Sequence, residues 1–333
     1  MKRLAWMAAI SLAAACGSDD NGEVEVDAST DVADAQVPEA DADPGDDRDI
    51  TDVTTAYAPD EDGNLQEVGP ANWACLGEPI EVHETENDIT VSGRVTEFLN
   101  NDLEDVQVAV FDSTDFYADP IADPVNAVDP GDDEGGVVYE DLVVPAGVTE
   151  VIFRITTSDS LITFSRGAGF DEDADLAEED ERDLGAFSDL TAGFLAGPAL
   201  GGPRTDELGI VAGDVVDCDG NTVKHTIAAL STTSGELTPH DDSEGPFYFP
   251  GQLPDSDHTE TNDNGRFMIA EIAPTEDFLF VQVWGYPDQE SFDAEELVLL
   301  SEQATTIVAD GLLTTAFPPL AGEPDDDDDD DDE

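Results

Sequence analysis

Histidine and carboxylate side chains come together twice in the long stretch between residues 230 and 261. One group is His240-Asp-Asp242, and the other is Asp255-Ser-Asp257-His258. Imidazole nitrogens together with carboxylates can hold a transition metal, and carboxylates alone can hold calcium. The whole chain is acidic, however, so aspartate beside histidine is expected from composition alone. We therefore predict no metal site and no cofactor.

Residue patterns of known catalytic sites do not occur in the chain. It contains no Gly-x-Ser-x-Gly, no His-Glu-x-x-His, no phosphate-binding glycine loop and no closely spaced cysteines. Of the four histidines, His83 and His225 fall beside or within predicted strands, where a hydrogen-bonded structural histidine is the simplest interpretation. We predict that the protein is not an enzyme and has no catalytic residues.

An aromatic group interrupts the same acidic stretch. Phe247, Tyr248 and Phe249 lie within Ser243–Pro250. Exposed aromatic side chains on a loop are typical of a surface that binds a carbohydrate or another protein. These three residues are a candidate ligand loop; the alternative is that the loop packs against the protein's own sandwich.

The segment Thr261–Phe267 combines a polar cluster with Asn-Gly and continues into the apolar run Met268–Ile272. This pattern predicts a tight turn that leads into a strand, with Gly265 at a positive φ. Oxygen-bearing residues from Glu260 to Glu271 also fall at calcium-loop spacings. Because a strand follows and no helix flanks the loop, the turn is the better interpretation.

The charge of the chain restricts its partners. Among 333 residues there are 82 Asp and Glu against 10 Lys and Arg, which gives a formal net charge of -72. Such a surface repels phosphate backbones, so we exclude nucleic acid as a partner. The charge fits either a surface that stays hydrated in salty water or simple solubility.

The first residues have the layout of an export signal. Lys2 and Arg3 precede a short apolar run over residues 4–15, which is too short to span a membrane. The end of this run, Leu12-Ala-Ala-Ala-Cys16-Gly17, resembles a bacterial lipobox, which implies lipidation of Cys16 and a membrane partner. An ordinary cleaved signal is the alternative. Gly17 gives no inner-membrane retention signal, which favours the outer membrane, on its periplasmic face or at the cell surface.

Export also sets the redox environment of the other two cysteines. With Cys16 lipidated, Cys75 and Cys218 form an even pair in an oxidising compartment. We predict a disulfide between them, with two separate buried thiols as the alternative.

Strand patterns occur twice, in the same order. Alternating apolar residues predict strands at Ile89–Val95 and Val106–Phe111. Similar segments return about 120 to 128 residues later, which indicates two copies of one all-β unit. The matched pairs are Thr90–Val95 with Ile210–Val216, Val106–Phe111 with Val223–Leu230, Gly136–Tyr139 with Gly265–Phe267, and Val151–Ile155 with Leu279–Val283.

We therefore predict two tandem β-sandwich domains between acidic disordered segments. Residues 167–208 are expected to form a connector with a short helix over Asp183–Leu195, because apolar residues there have near-helical spacing. The predicted order is a signal peptide (1–15), an acidic linker (16–70), domain 1 (71–166), the connector (167–208), domain 2 (209–320) and an acidic tail (321–333).

The pattern Val211-Ala-Gly213-Asp-Val-Val216-Asp-Cys218-Asp-Gly220, followed by Thr261–Phe267, Pro274 and Val281, resembles the carboxypeptidase regulatory-like domain. Asn262 stands where the family has aspartate. The resemblance covers residues 209–318 well and 76–165 more loosely. It implies a transthyretin-like (prealbumin-like) sandwich without peptidase activity.

Two functions follow as hypotheses. One is a lipid-anchored envelope protein whose noncatalytic modules bind an envelope protein or glycan in adhesion or scaffolding. The other is a noncatalytic accessory subunit that presents substrate to an exported enzyme or transporter.

Overall fold

The computed structural model of this chain describes residues 50–61, 63–79, 83–97, 103–131, 135–158, 161–167, 169–238, 240 and 242–322. Cys16, the predicted signal peptide 1–15 and most of the predicted tail 321–333 lie outside the described residues. No helix among the residues described is long and apolar enough to cross a membrane.

Folded structure begins before the predicted linker ends. Strands β1 (Thr55–Pro59) and β2 (Leu65–Pro70) form an antiparallel hairpin, whose turn is closed by a hydrogen bond from the Gly63 N–H to the Asp60 carbonyl. The prediction that residues 16–70 are all linker is therefore wrong for this part. The low hydrophobicity of this segment did not indicate a hairpin, because the hairpin needs few apolar side chains. From β1, Ala56 alone is buried in the core.

The first unit contains the next strands and a short helix. Its elements are β3 (Ile89–Glu97), β4 (Gln107–Phe111), β5 (Val125–Asn126), β6 (Val137–Val144), β7 (Val151–Thr156), β8 (Ile162–Gly167), α1 (Glu172–Ala177), β9 (Glu179–Glu181) and β10 (Leu184–Ala186). Along β3, buried residues alternate with half-exposed or exposed ones, as the sequence period predicts.

Helix α2 (Asp189–Leu200) leads to the second unit. The elements of that unit are β11 (Gly209–Val215), β12 (Thr222–Lys224), β13 (Thr226–Ser231), β14 (Glu244–Tyr248), β15 (Arg266–Ile272), β16 (Thr275–Gly285), α3 (Gln289–Asp293), β17 (Val298–Ile307) and β18 (Gly311–Phe317). The fold is all-β, as predicted, and helices contribute only short pieces.

The two units pair their strands in the same register. In each unit the first strand pairs antiparallel with a later one, so that Gly93 lies opposite Tyr139 and Gly213 lies opposite Phe267. Strands β4 and β7 pair as β13 and β16 do: Val110 is opposite Phe153, and Leu230 is opposite Val281. The matched positions are separated by the offsets of 120 and 128 residues seen in the sequence, so the repeat is structural.

In each unit, the first strand also has a parallel neighbour. Strands β9 and β10 pair parallel with β3, and β18 pairs parallel with β11. The predicted connector 167–208 therefore belongs in part to the first unit. Since β18 also pairs parallel with β8, one eight-stranded sheet runs through both units in the order β14-β15-β11-β18-β8-β7-β4-β5. The prediction of tandem domains missed this shared sheet.

The predicted helix over Asp183–Leu195 is wrong at its start. Leu184 and Ala186 are buried in strand β10, and the helix begins after Ser188, whose hydroxyl accepts a hydrogen bond from the Thr191 N–H as an N-cap. Pairing with β3 outweighs the helical spacing of the apolar residues in this segment.

Buried side chains form three clusters. The first unit has its own core, the second unit has a core that also includes Phe111, Ile152 and Phe164 of the first, and a third cluster lies beneath α2. A disulfide joins Cys75 to Cys218, the expected pair, with an S–S distance of 2.08 Å. The shared sheet and shared core make the two units one continuous body.

Candidate functional site

The aromatic residues of the candidate ligand loop are buried. Phe247, Tyr248 and Phe249 are 6%, 2% and 8% exposed. Strand β14 pairs with β15, and the Tyr248 hydroxyl accepts a hydrogen bond from the Ala228 N–H at 3.0 Å. The prediction of an exposed ligand surface at these three residues is therefore wrong. The alternative, packing onto the protein's own sandwich, is what the structure has.

An open apolar groove lies just beyond these residues. One wall is formed by Phe194 and Pro198, one turn apart on α2, and the other by residues 250–255. The groove has a volume of about 650 Å³. Phe194 is 51% exposed and Leu253 is 36% exposed, so two large apolar side chains face solvent on this acidic protein.

Two sets of contacts hold α2 in place beneath Phe194. On the first unit, the Glu97 carboxylate accepts hydrogen bonds from the hydroxyls of Ser188 at 2.5 Å and Thr191 at 2.7 Å. On the second unit, buried alanines of α2, including Ala196, pack in one cluster with Phe247. The helix therefore bridges both units, and its wall of the groove has a fixed position.

The opposite wall is held by the turn that the sequence analysis singled out. The Asn264 side chain donates hydrogen bonds to the carbonyl oxygens of Phe249 and Gly251, at 2.9 and 3.2 Å. The Asp255 N–H donates to the Tyr248 carbonyl at 2.8 Å. As predicted, Gly265 has a positive φ, of 66°. The turn therefore has a second role, which is to position the wall at residues 250–255.

Asp255 is the charged residue of the groove. Its Oδ1 accepts a hydrogen bond from the Asp257 N–H at 2.9 Å. Its Oδ2 lies 3.9 Å from His258 Nε2, which is too far for a hydrogen bond. The carboxylate therefore keeps an acceptor oxygen at the rim of the groove, whose lining is otherwise apolar apart from Gln252 and backbone groups.

The histidine and aspartate groups of residues 240–258 do not assemble into a metal centre in the part of the chain that the structure describes. Within that part, no group of three or more His, Cys, Asp or Glu side chains could hold an ion. Asp255 and His258 approach each other, as their spacing suggests, but no third ligand joins them.

His83 has a structural partner in the first unit. Its Nε2 lies 2.9 Å from Asp175 Oδ2, and the same carboxylate accepts hydrogen bonds from the N–H groups of Glu86 and Asn87. The hydrogen bond from the Glu86 N–H is the largest cause that lowers the pKa of Asp175 to about 2, against the opposing effect of burial. This cluster holds the chain that leads into β3.

His225 occupies a similar position in the second unit. Its Nδ1 lies 2.9 Å from Glu260 Oε1, and Thr51 donates to the same carboxylate through its hydroxyl at 2.7 Å and its N–H at 3.0 Å. Burial disfavours the charged form of Glu260, but the hydrogen bonds from His225 and Thr51 outweigh it, so the pKa of Glu260 is lowered. The cluster holds the chain just before β1.

Sequence reasoning missed Phe194 as a surface residue. It placed Phe194 in the predicted helix over Asp183–Leu195, whose apolar residues have near-helical spacing, whereas the helix starts later and leaves this side chain 51% exposed. The sequence offered a signal only for the opposite wall, because Pro250-Gly-Gln-Leu-Pro254 has the residue types of a rigid surface loop.

Comparison with known proteins gives no family assignment. No family model matches this chain. No curated protein matches it at a significant level.

Solved structures give distant matches at low TM-scores. The TIE protein of Bacillus anthracis matches with a TM-score of 0.22 and 9% identity over 71% of this chain and 35% of that one. A streptococcal ancillary pilin matches with a TM-score of 0.22 and 11% identity over 71% of this chain and 70% of its own. A mutant of the shaft pilin SpaA from Lactobacillus rhamnosus GG matches with a TM-score of 0.16 and 10% identity, over 70% of this chain and 98% of its own. The fold description therefore rests on the strand pairing of this chain itself.

Proposed function

We propose that this chain is a lipid-anchored, noncatalytic protein of the cell envelope that binds a partner through the groove between α2 and residues 250–255. The lipobox-like end of the export signal supports an anchor at Cys16, and an acidic segment before residue 50 would separate the folded body from the membrane. The body then acts as a rigid scaffold that presents the groove.

The groove carries the proposal. It combines exposed apolar side chains with walls that are held by hydrogen bonds and core packing, which is the usual character of a preformed binding site. In contrast, His83 and His225 have carboxylate partners that hold chain segments in place. These two histidines thus serve the fold, and the apolar surface of the groove remains for binding a partner.

The family likeness belongs to the same proposal. The resemblance of residues 209–318 to the carboxypeptidase regulatory-like domain rests on their sequence pattern, and the equal strand registers of the two units extend the proposal to the first unit. Both units would then be transthyretin-like modules used for binding.

A pull-down from solubilised envelope tests the binding function. We expect the wild-type protein to retain an envelope protein or glycan that Phe194→Ala does not retain. Phe278→Ala is the matched control, because Phe278 is also exposed, at 45%, but lies outside the groove. Equal retention by wild type and Phe194→Ala would show that the groove is not the binding site. Recovery of one stoichiometric exported enzyme or transporter would identify the accessory role.

The anchor has a separate test. We expect Cys16→Ser to move the protein from the membrane fraction to the soluble fraction. A variant that stays fully membrane-associated would show that the lipid anchor is wrong while leaving the groove untouched.

A further inference from the structure

We propose that the partner in the groove is a basic peptide segment, in which an apolar side chain flanked by Lys or Arg contacts Phe194 and Leu253. This inference rests on the proposed function and specifies the chemistry of the partner. Three features of the groove support it: its open shape, its preformed walls and the charge around it.

The shape favours a peptide segment. A small ligand obtains most of its affinity by being largely enclosed. This groove is open to solvent along its length between α2 and residues 250–255, so it suits an elongated segment that lays one or two side chains across it. The exposed ring of Phe194 and the Leu253 side chain supply the apolar contact.

The walls need little ordering before they bind. Asn264 holds the carbonyls of Phe249 and Gly251, and Glu97 holds the first turn of α2 through Ser188 and Thr191. Because the binding surface is already in position, less of the interaction energy is lost to conformational entropy on binding.

Charge complementarity favours a partner segment with positive charge. The body carries a large net negative charge, and Asp255 is the charged side chain that lines the groove. Its Oδ2 has no hydrogen bond to His258, so it can accept one from a cation on the partner. The field of the whole protein would also raise the association rate of a cationic segment and repel an acidic one.

The test compares three fluorescein-labelled peptides by anisotropy on the folded protein. In the first, Phe and Leu alternate with Lys; in the second, Gln replaces Lys; in the third, Glu replaces Lys. At about 0.15 M salt, where long-range charge effects are already partly screened, we expect the order of affinity to be basic, then neutral, then acidic.

Variants separate the groove from general charge attraction. We expect Phe194→Ala to weaken the basic peptide about tenfold, as for a central aromatic contact. Asp255→Asn should weaken it by roughly threefold and reduce its salt dependence. Phe278→Ala and Asp277→Asn, an exposed aromatic and a neighbouring aspartate outside the groove, should leave the affinity unchanged.

Each contrary result has a distinct meaning. If the basic peptide binds Phe194→Ala as tightly as wild type, the binding is nonspecific and this inference is overturned. If the neutral peptide binds as well as the basic one and both depend on Phe194, the groove binds but the charge argument is wrong. If no peptide binds while envelope retention still depends on Phe194, the proposed function stands without a basic peptide partner. If neither depends on Phe194, both proposals fail.

Discussion

Gly93 in the first unit and Gly213 in the second lie at equivalent positions, each opposite an aromatic residue on a later strand, β6 or β15. In the first unit that residue is Tyr139, and in the second it is Phe267. A β-carbon on either glycine would overlap neighbouring backbone, at Arg182 between β9 and β10 in one unit and at Thr315 of β18 in the other. The backbone arrangement is thus the same in both units.

What covers the glycine differs between the units. The Tyr139 hydroxyl donates a 2.7 Å hydrogen bond to the Arg182 carbonyl, the group that lies over Gly93. In the second unit, Phe267 packs against Phe317 with ring centroids 5.0 Å apart, and the Phe317 ring lies over Gly213. The repeat therefore keeps its backbone geometry while one copy uses a polar contact and the other an aromatic pair.

The strands that pair parallel with β3 and β11 explain this difference. In the first unit the parallel strand is divided into β9 and β10, and the Arg182 carbonyl at the break needs a hydrogen-bond donor. In the second unit β18 is continuous and pairs with β11 from Leu312 to Phe317, so the backbone beside Gly213 has no break. A buried hydroxyl is useful where the sheet is interrupted, and an apolar ring is better where it is not.

The second unit also has a covalent connection that the first lacks, and removing it should have the largest effect. For the double variant Cys75→Ala/Cys218→Ala we expect the free energy of unfolding to fall by about 5 kcal/mol, since the disulfide closes a loop of 143 residues. Urea unfolding measures the total change. Hydrogen exchange should show lost protection first in β1, β2 and neighbouring parts of the second unit, and unchanged protection there would contradict the expectation.

Alanine at the two glycines tests the shared geometry. Gly93→Ala and Gly213→Ala should each reduce the free energy of unfolding by about 3 kcal/mol, because the new methyl group overlaps backbone. We expect the larger loss for Gly213→Ala, since Thr315 lies in a continuous strand, whereas Arg182 lies at a break that can shift. Thermal and urea unfolding provide the comparison.

Gly193→Ala is the control for this pair. Its β-carbon would meet nothing within 4 Å on α2, so alanine should be neutral or stabilising there. Equal tolerance at all three glycines would show that the close approach of the parallel strands is not what requires glycine.

A reciprocal exchange of one hydroxyl tests the difference between the units. Tyr139→Phe should cost about 1 to 2 kcal/mol because it removes the hydroxyl that donates to the Arg182 carbonyl. Phe267→Tyr should cost a similar amount because it buries a hydroxyl beside Phe317 without a partner. A neutral result for either exchange, measured by urea unfolding, would mean that the two environments are interchangeable.

The smallest expected effect concerns acid stability. The pKa of Asp175 is lowered from 3.8 to about 2, so its charged form stabilises the folded state fully above about pH 4, and this stabilisation is lost as the pH falls towards 2. The difference in unfolding free energy between wild type and Asp175→Asn should therefore be constant above pH 4 and shrink below it.

Glu260→Gln gives the matching experiment in the second unit. The pKa of Glu260 is also lowered, so the sign of its pH dependence is the same. Hydrogen exchange should place the loss from Asp175→Asn near β3 and the loss from Glu260→Gln near β1. Loss of protection near β1 in Asp175→Asn, or near β3 in Glu260→Gln, would contradict this assignment of the two clusters.

Much of the architecture followed from local patterns. The alternation at Ile89–Val95 predicted β3, the offsets between repeated segments predicted the shared register, and the Asn-Gly turn predicted the positive φ at Gly265. These features depend on the period of side chains along a strand and on turn chemistry, which neighbouring residues determine.

Other features could not be predicted because they depend on distant contacts. The hairpin of β1 and β2 forms because β1 pairs with β12, more than 150 residues away in the chain, and the helix over 183–195 was mistaken because β10 pairs with β3. Phe247 and Phe249 were expected to be candidates for exposure, but α2 covers them. Phe194, in turn, is exposed because its helix packs through Ala192 and Ala196.

The sequence by itself determined an all-β chain with two copies of one strand pattern, a cysteine pair that can join and a strongly acidic composition. Only the tertiary structure decided that β18 and β8 merge the copies into one sheet, that the aromatic residues before Pro250 are core, and that the open surface lies between Phe194 and Leu253. The reason is physical: periodicity fixes which side of a strand is apolar, whereas long-range packing decides which apolar surfaces are covered.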